Sequence, residues 1–98
     1  MALLDDKTLL KLPVVTKSGT ALGKVAGFEF DVDAQAIVRY LVRPKGLAAR
    51  MLKHPLRVSR DQVVSIDDEK MVVEDALAKE MELARAKAIG LVSSEVKA

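Results

Sequence analysis

The sequence predicts an all-β domain of about six short strands, interrupted by a short helix and followed by a C-terminal helix. Stretches of β-branched and alternating apolar residues are separated by turn residues at intervals of about 8–12 positions, which is typical of a small barrel or sandwich. The final quarter of the chain is instead rich in Ala, Leu, Glu, Lys and Arg, which favour helices. A chain of 98 residues fits one domain.

The strand with the clearest alternation is predicted at residues 24–32. Ala26, Phe28, Phe30 and Val32 fall on one face of this segment, and acidic residues fall on the opposite face. A period of two predicts a strand in which one face is buried and the other meets solvent. We therefore expect the four apolar side chains to lie on the core side.

The next strand is predicted at residues 37–43, where Val38, Tyr40 and Val42 share a face. Pro44 ends this strand, because proline has no N–H to donate to a strand ladder. Turns are predicted where Ser, Gly and Asp allow tight backbone geometry, at residues 17–20, 33–36 and 67–70. The remaining strands are predicted at residues 12–16, 56–59, 62–66 and 71–74.

Two helices are predicted from spacing and composition. Residues 46–53 place apolar side chains on one side at helical spacing and end before Pro55, which predicts a helix of about two turns. Residues 76–89 contain strong helix formers. Asp75 is suited to cap the N-terminus of that helix, and Gly90 is suited to stop it.

The composition restricts the possible functions. The chain has no cysteine and one histidine, which argues against disulfide scaffolds, thiol catalysis, iron–sulfur clusters and zinc ribbons. No apolar run reaches the roughly 18 residues of a membrane span, and the first residues are acidic where a signal peptide would be basic. We expect a cytoplasmic protein with a β domain at residues 1–75 and a C-terminal helix and frayed tail at residues 76–98.

Two motifs are similar to ligand-binding loops but lack essential features. Gly19 and Gly23 precede Lys24 as in a phosphate-binding loop, but three residues rather than four separate the glycines. Asp31 and Asp33 could begin a calcium loop, but its sixth position is Ala where that loop needs Gly. Both segments are therefore interpreted as turns.

The remaining titratable groups do not form a catalytic pattern. His54 stands alone, whereas metal sites need two or three ligands and a general base needs a partner. Asp67 and Asp68 are adjacent in a predicted turn, where neighbouring side chains point apart. We predict no catalytic residue, no cofactor and no metal site, and therefore a protein that is not an enzyme.

Several segments match a known domain pattern in order and spacing. They are Gly19-Thr20-Ala21-Leu22-Gly23-Lys24-Val25, Phe28-Glu29-Phe30-Asp31, Tyr40-Leu41-Val42, and Val58-Ser59 followed by Asp61-Gln62-Val63-Val64. Together these segments resemble the PRC-barrel family, which is named after the cytoplasmic domain of the photosynthetic reaction centre H subunit. The resemblance covers about residues 4–75, nearly all of the predicted strands.

The resemblance implies a small β-barrel of about six strands that is often dimeric and acts as an interaction module. No enzymatic activity or catalytic residue is known for the family. The chain lacks the membrane helix of the H subunit and the additional N-terminal barrel of a ribosome maturation factor that also contains this domain. It is most similar to short stand-alone members, and we expect a non-enzymatic adaptor or scaffold that forms a homodimer.

Charge is segregated along the chain. Residues 34–60 contain seven cations and no acid, whereas residues 61–82 contain eight acids and two lysines. The basic stretch could contact an acidic protein, the phosphates of RNA or of a ribosomal partner, or anionic lipid, or it could be neutralised within the fold. Few aromatic residues are present to stack on bases, which favours a protein partner over an RNA-associated assembly factor. The predicted partner-binding residues are Arg39, Arg43, Lys45, Arg50, Lys53, Arg57 and Arg60.

The C-terminal helix and the strands both carry excess apolar surface. A stripe with spacing 4-3-4-3 along the helix predicts either packing on the chain's own sheet or dimerisation through a short coiled coil. Val15, Leu41 and Val63 lie opposite the presumed core faces, which predicts that a helix or a second copy covers them. The residues of the helix stripe are Leu77, Met81, Ala84, Ala88 and Leu91.

Overall fold

A computed structural model describes residues 3–44 and 54–88 of the chain. These residues are mostly β-structure, with six strands and a C-terminal helix, as the sequence predicts. The helical insertion predicted at residues 46–53 lies outside the described residues. The elements are α1 (Asp6–Leu9), β1 (Pro13–Thr16), β2 (Ala21–Asp31), β3 (Ala36–Arg43), β4 (Leu56–Ser59), a 3₁₀ turn (Arg60–Gln62), β5 (Val63–Ile66), β6 (Met71–Val73) and α2 (Ala76–Ala88).

The strands form one sheet in the order β4-β3-β2-β1-β6-β5. Neighbouring strands are antiparallel except β1 and β6, which pair in parallel with Val14 opposite Met71. Strands β4 and β5 are the two edges, and in the described residues no strand ladder joins them. The prediction of six strands in one sheet is therefore confirmed, whereas the closure of that sheet into a barrel stays a prediction.

The sheet curls, because its two edge strands are consecutive in the chain. Six flat strands would separate β4 from β5 by about 24 Å at the usual strand spacing. Only the 3₁₀ turn lies between Ser59 and Val63, and four residues of chain reach at most about 14 Å. The sheet must curve until its edges approach each other at this turn, which gives it an inner and an outer face.

The hydrophobic core lies on the inner face and is closed by α2. Leu77 and Met81 of this helix are as completely buried as the strand residues beneath them. Their burial explains why the helix packs on the sheet of its own chain, since two large apolar side chains leave water there. The fully buried strand residues are Val14, Val25, Val42, Val58, Met71 and Val73.

The predicted burial of one face of β2 is wrong. Ala26 is exposed because the register shifts between Val25 and Gly27, which makes it a bulge residue outside the regular alternation. Phe28 and Phe30 lie on the inner side but remain 37% and 51% exposed. Within residues 3–44 and 54–88, the ladder of β2 beyond Lys24 is with β3 alone, so the two rings have a neighbouring strand on one side only.

In the neighbouring strand β3 the predicted face is confirmed. Tyr40 and Val42 are buried, and Val38 is half-buried. Burial raises the pKa of the Tyr40 phenol above its ordinary value, although the nearby charge of Arg60 opposes this effect. Val15, Leu41 and Val63, on the opposite faces, are half-buried.

The turn between β1 and β2 is fastened to the start of α2. Asp75 directly precedes the helix, but the hydrogen bonds of its carboxylate go to Ser18, so its predicted role as the N-cap stays a prediction. Its carboxylate accepts hydrogen bonds from the backbone N–H of Ser18 at 2.9 Å and from the Ser18 hydroxyl at 2.8 Å. Asp75 therefore ties two segments that are far apart in the chain.

Candidate interaction surfaces

Three charged side chains meet on the outer face, one from each of the strands β2, β3 and β4. Glu29 is directly opposite Arg39 in the β2–β3 ladder, and Arg57 is opposite Leu41 in the β3–β4 ladder. One oxygen of Glu29, Oε1, accepts from Arg39 at 3.0 Å and from Arg57 at 2.7 Å. We call these three residues the Glu29 cluster.

The Glu29 cluster carries one unit of net positive charge, because one carboxylate faces two guanidinium groups. The hydrogen bond from Arg57, followed by that from Arg39, lowers the pKa of Glu29 below its ordinary value of 4.5. The side chains of Arg39 and Arg57 remain 45% and 58% exposed. A guanidinium has five N–H donors, so each arginine keeps donors that can reach a further anion.

A shallow depression of about 470 Å³ adjoins the cluster on the outer face. Leu41 and Pro55 give it an apolar floor, and Glu29, His54 and Arg57 line its sides. Among the described residues, no three His, Asp or Glu side chains lie together in a way that could hold a metal ion. Because Leu41, Pro55 and Arg57 line it, the depression offers a bound group apolar contact and the N–H donors of a guanidinium.

Four cations of the predicted basic stretch lie in the described residues, and two of them, Arg39 and Arg57, belong to the Glu29 cluster. Arg43 is exposed opposite Lys24 and shares the outer face with Arg39. Arg60 lies in the 3₁₀ turn, near Tyr40. The other predicted partner-binding residues, Lys45, Arg50 and Lys53, lie outside the described residues.

Glu29 is the residue that sequence reasoning missed at this site. The alternation of β2 puts Glu29 on the polar face of the strand but does not identify an ion-pair partner. The predicted turn at residues 33–36 forms a hairpin that brings Glu29 near Arg39. Antiparallel pairing across that turn was therefore the available signal. The contact with Arg57 was not accessible in this way, because it depends on how β4 pairs with β3.

An apolar surface continues from the core along the inner side of the β2–β3 hairpin. Phe28 pairs with Tyr40 and Phe30 pairs with Ile37, and we call these four residues the hairpin face. Next to it is a cavity of about 550 Å³ with apolar walls and two carboxylates at its rim. Its lining residues are Leu3, Leu4, Leu9, Ile37, Tyr40, Ile66, Asp67 and Asp68.

The helix stripe is divided between the core and residues that are not described. Leu77 and Met81 are buried within their own chain, which is the packing alternative that the sequence left open. The side chains of Ala84 and Ala88, and all of Leu91, lie outside the described part. A dimer contact through those three residues stays a prediction.

The comparisons with known proteins agree with the observed sheet. In the described residues, none of the helices is both long and apolar enough to span a membrane. A search of curated proteins finds no match. The family model of the PRC-barrel domain matches residues 1–79, which include all six strands of the sheet. The chain therefore belongs to the PRC-barrel domain family.

Proposed function

We propose that this chain is a non-enzymatic protein-interaction module that serves as a cytoplasmic adaptor or scaffold and works as a homodimer. The observation that carries the proposal is the exposure of the hairpin face. Phe28 and Phe30 are two of only three aromatic residues in the chain, yet they are 37% and 51% exposed. Aromatic side chains are enriched in the cores of protein interfaces, and contiguous exposed apolar surface marks interaction sites.

A second copy is the partner that suits the hairpin face. A two-fold contact places the same patch of both copies against each other. The paired residues Phe28, Phe30 and Ile37 are all apolar, so such a contact desolvates no charge on this patch. The resemblance to PRC-barrel proteins, which are often dimeric, supports the same arrangement.

The surroundings of the cavity support a binding role rather than catalysis. A catalytic site needs convergent titratable groups of matched pKa. Among the described residues, the titratable groups that line the cavity are Tyr40, Asp67 and Asp68. The Asp67 carboxylate already accepts from the backbone N–H groups of Glu69 and Lys70, at 2.7 and 2.9 Å.

Sedimentation velocity of the wild-type chain and of two single variants tests the homodimer. Phe30→Ser removes an aromatic ring from the hairpin face, and Leu83→Ser removes an apolar side chain that is 56% exposed on α2. We expect wild type and Leu83→Ser to be dimeric at micromolar concentration, and Phe30→Ser to weaken the dimer at least about tenfold in Kd. A wild-type protein that stays monomeric up to about 100 μM would contradict the proposal.

The net positive charge of the Glu29 cluster also fits a second function, that of an RNA- or ribosome-associated assembly factor. Binding driven by phosphates weakens steeply with salt, whereas an apolar interface does not. We expect RNA to bind the wild-type chain no more tightly than it binds an Arg57→Gln variant. If RNA bound the wild type tightly and in a salt-dependent way, and if Arg57→Gln reduced that binding, the RNA-associated function would be favoured over the dimeric adaptor.

A further inference from the structure

The most acidic exposed turn of the described chain connects β5 and β6. Asp67 holds this turn through its hydrogen bonds to the backbone of Glu69 and Lys70, and these bonds lower the pKa of Asp67 below its ordinary value of 3.8. The backbone of residues 67 and 70 is also joined by a hydrogen bond of 3.0 Å. The turn is thus fixed by one carboxylate while two others, on Asp68 and Glu69, are exposed to solvent.

The acidic turn and the Glu29 cluster are complementary in charge but lie on opposite faces of the sheet. Asp67 and Asp68 share the inner-face cavity with Tyr40. Leu41, the next residue of β3, lines the depression on the outer face with Glu29 and Arg57. Because successive side chains of a strand point to opposite sides, one copy does not bring its own turn to its own cluster.

We propose that the Glu29 cluster binds the acidic β5–β6 turn of a second copy. The remaining N–H groups of Arg39 and Arg57 donate to the carboxylates of Asp68 and Glu69, while Glu29 holds the two guanidinium groups in place. The contact joins two different surfaces, so it is head-to-tail and can repeat from copy to copy. It goes beyond the proposed homodimer, because it leaves the hairpin face free and links dimers into larger assemblies.

The strength of this contact depends on salt. Exposed ion pairs contribute little individually and are screened as ionic strength rises. We therefore expect assemblies larger than the dimer at an ionic strength of about 20 mM and their loss at about 300 mM. The apolar dimer should persist at both, because hydrophobic association is not screened by salt.

Charge reversal on each side of the contact provides the test. One variant carries Arg57→Glu, and the other carries Asp68→Arg with Glu69→Arg; Asp67 is kept because it holds the turn. At low ionic strength we expect wild type to grow in weight-average mass with concentration, and each variant alone to lose this growth. An equimolar mixture of the two variants should recover mass above that of either one, because the reversed turn now faces a reversed cluster.

The matched control reverses two other exposed carboxylates, Glu80 and Glu82 of α2. Glu80→Arg with Glu82→Arg changes the net charge by the same amount as the turn variant, so it should assemble like wild type. The proposal is overturned if this control loses assembly equally, if the mixture gains no mass, or if wild type stays dimeric at about 500 μM and low salt. Phe30→Ser tests only the hairpin dimer, so the two proposals fail separately.

Discussion

The two ends of the β2–β3 hairpin have similar apolar sequences but opposite environments. At the core end, Val25 pairs with Val42 and both are completely buried. At the far end, Phe28 and Phe30 point to the same side and stay partly exposed. The difference lies in the neighbours, because β1 adjoins only the first residues of β2, up to Lys24.

Alternation determines which side of a strand a side chain faces, whereas its burial depends on what covers that side. The core end of the hairpin, at Val25 and Val42, is the covered end and contributes the apolar burial that stabilises the fold. The far end, at Phe28 and Phe30, is the uncovered end and retains apolar surface that a second copy can bury. Substitutions at the two ends should therefore separate effects on stability from effects on association.

The largest effect is expected for Met81→Glu, in the hydrophobic core to which the covered end of the hairpin belongs. Met81 is 1% exposed in the core, so the substitution places an unpaired charge among apolar side chains. We expect it to lower the free energy of unfolding by more than about 4 kcal/mol, enough to unfold a domain of this size. Urea denaturation followed by circular dichroism measures the loss.

The matched substitution at the uncovered end is Phe30→Glu, which should change the stability of the monomer by less than about 1 kcal/mol. If Met81→Glu stayed folded and merely lost its dimer, Met81 would belong to an interface and the assignment of the covered end would be wrong. Equal unfolding of Phe30→Glu would also remove the contrast between the two ends.

The next effect concerns two glycines of the β1–β2 hairpin. Gly23 has φ +147°, and a Cβ there would collide with the Arg43 carbonyl oxygen, with its carbon at 2.7 Å and Pro44 Cα at 2.8 Å. Gly19 has φ +96°, but a Cβ there would meet open space. We expect Gly23→Ala to cost more than about 2 kcal/mol and Gly19→Ala about 1 kcal/mol, as measured by thermal unfolding.

The order of the two glycine variants is the informative result. Both carry a methyl group into a backbone conformation that favours glycine. Only Gly23→Ala also forces two strands of the sheet apart. Equal melting temperatures for the two variants would show that β2 and β3 separate at Gly23 at little cost. The close approach of the two strands would then not contribute to the stability of the fold.

Local sequence patterns predicted most elements but not their surroundings. Strand β4 was predicted at the residues where it is found, and β3 to within one residue, because Pro44 and the turn residues mark their ends. The short helix α1 was missed, since four residues show no helical period. Its only sequence signal is Asp5, whose carboxylate accepts from the N–H of Thr8 at 2.8 Å.

The sites were harder to predict because they depend on register and cover. The bulge at Ala26 changes the alternation of β2, and nothing in the apolar pattern distinguishes a bulge from a regular strand. Arg39 and Arg57 are both among the predicted partner-binding residues. Their shared partner Glu29 follows from the pairing of three strands. The local pattern of the segment between β3 and β4 does not determine how those two strands pair.

A smaller effect is predicted for Asp75, which fastens the β1–β2 turn to the start of α2. The hydrogen bonds from the backbone N–H and then the hydroxyl of Ser18 lower its pKa below the ordinary value of 3.8. A carboxyl group with a depressed pKa in the folded state stabilises the fold above its unfolded pKa, and this contribution is lost as the pH falls through the folded value. Asp75→Asn keeps the shape of the side chain and removes the charge.

Asp75→Asn should therefore melt below wild type at pH 7, by less than Gly23→Ala does. The difference should shrink as the pH falls below 3.8, because the wild-type carboxyl group becomes neutral as well. Glu29→Gln is the counterpart at the uncovered end. It should change melting less at pH 7, because the strands that Glu29 connects are already joined by their ladder. A difference in melting temperature between wild type and Asp75→Asn that stayed constant down to about pH 2 would arise from the shape of the side chain rather than from its charge. The hydrogen bonds from Ser18 would then not depend on an ionised Asp75.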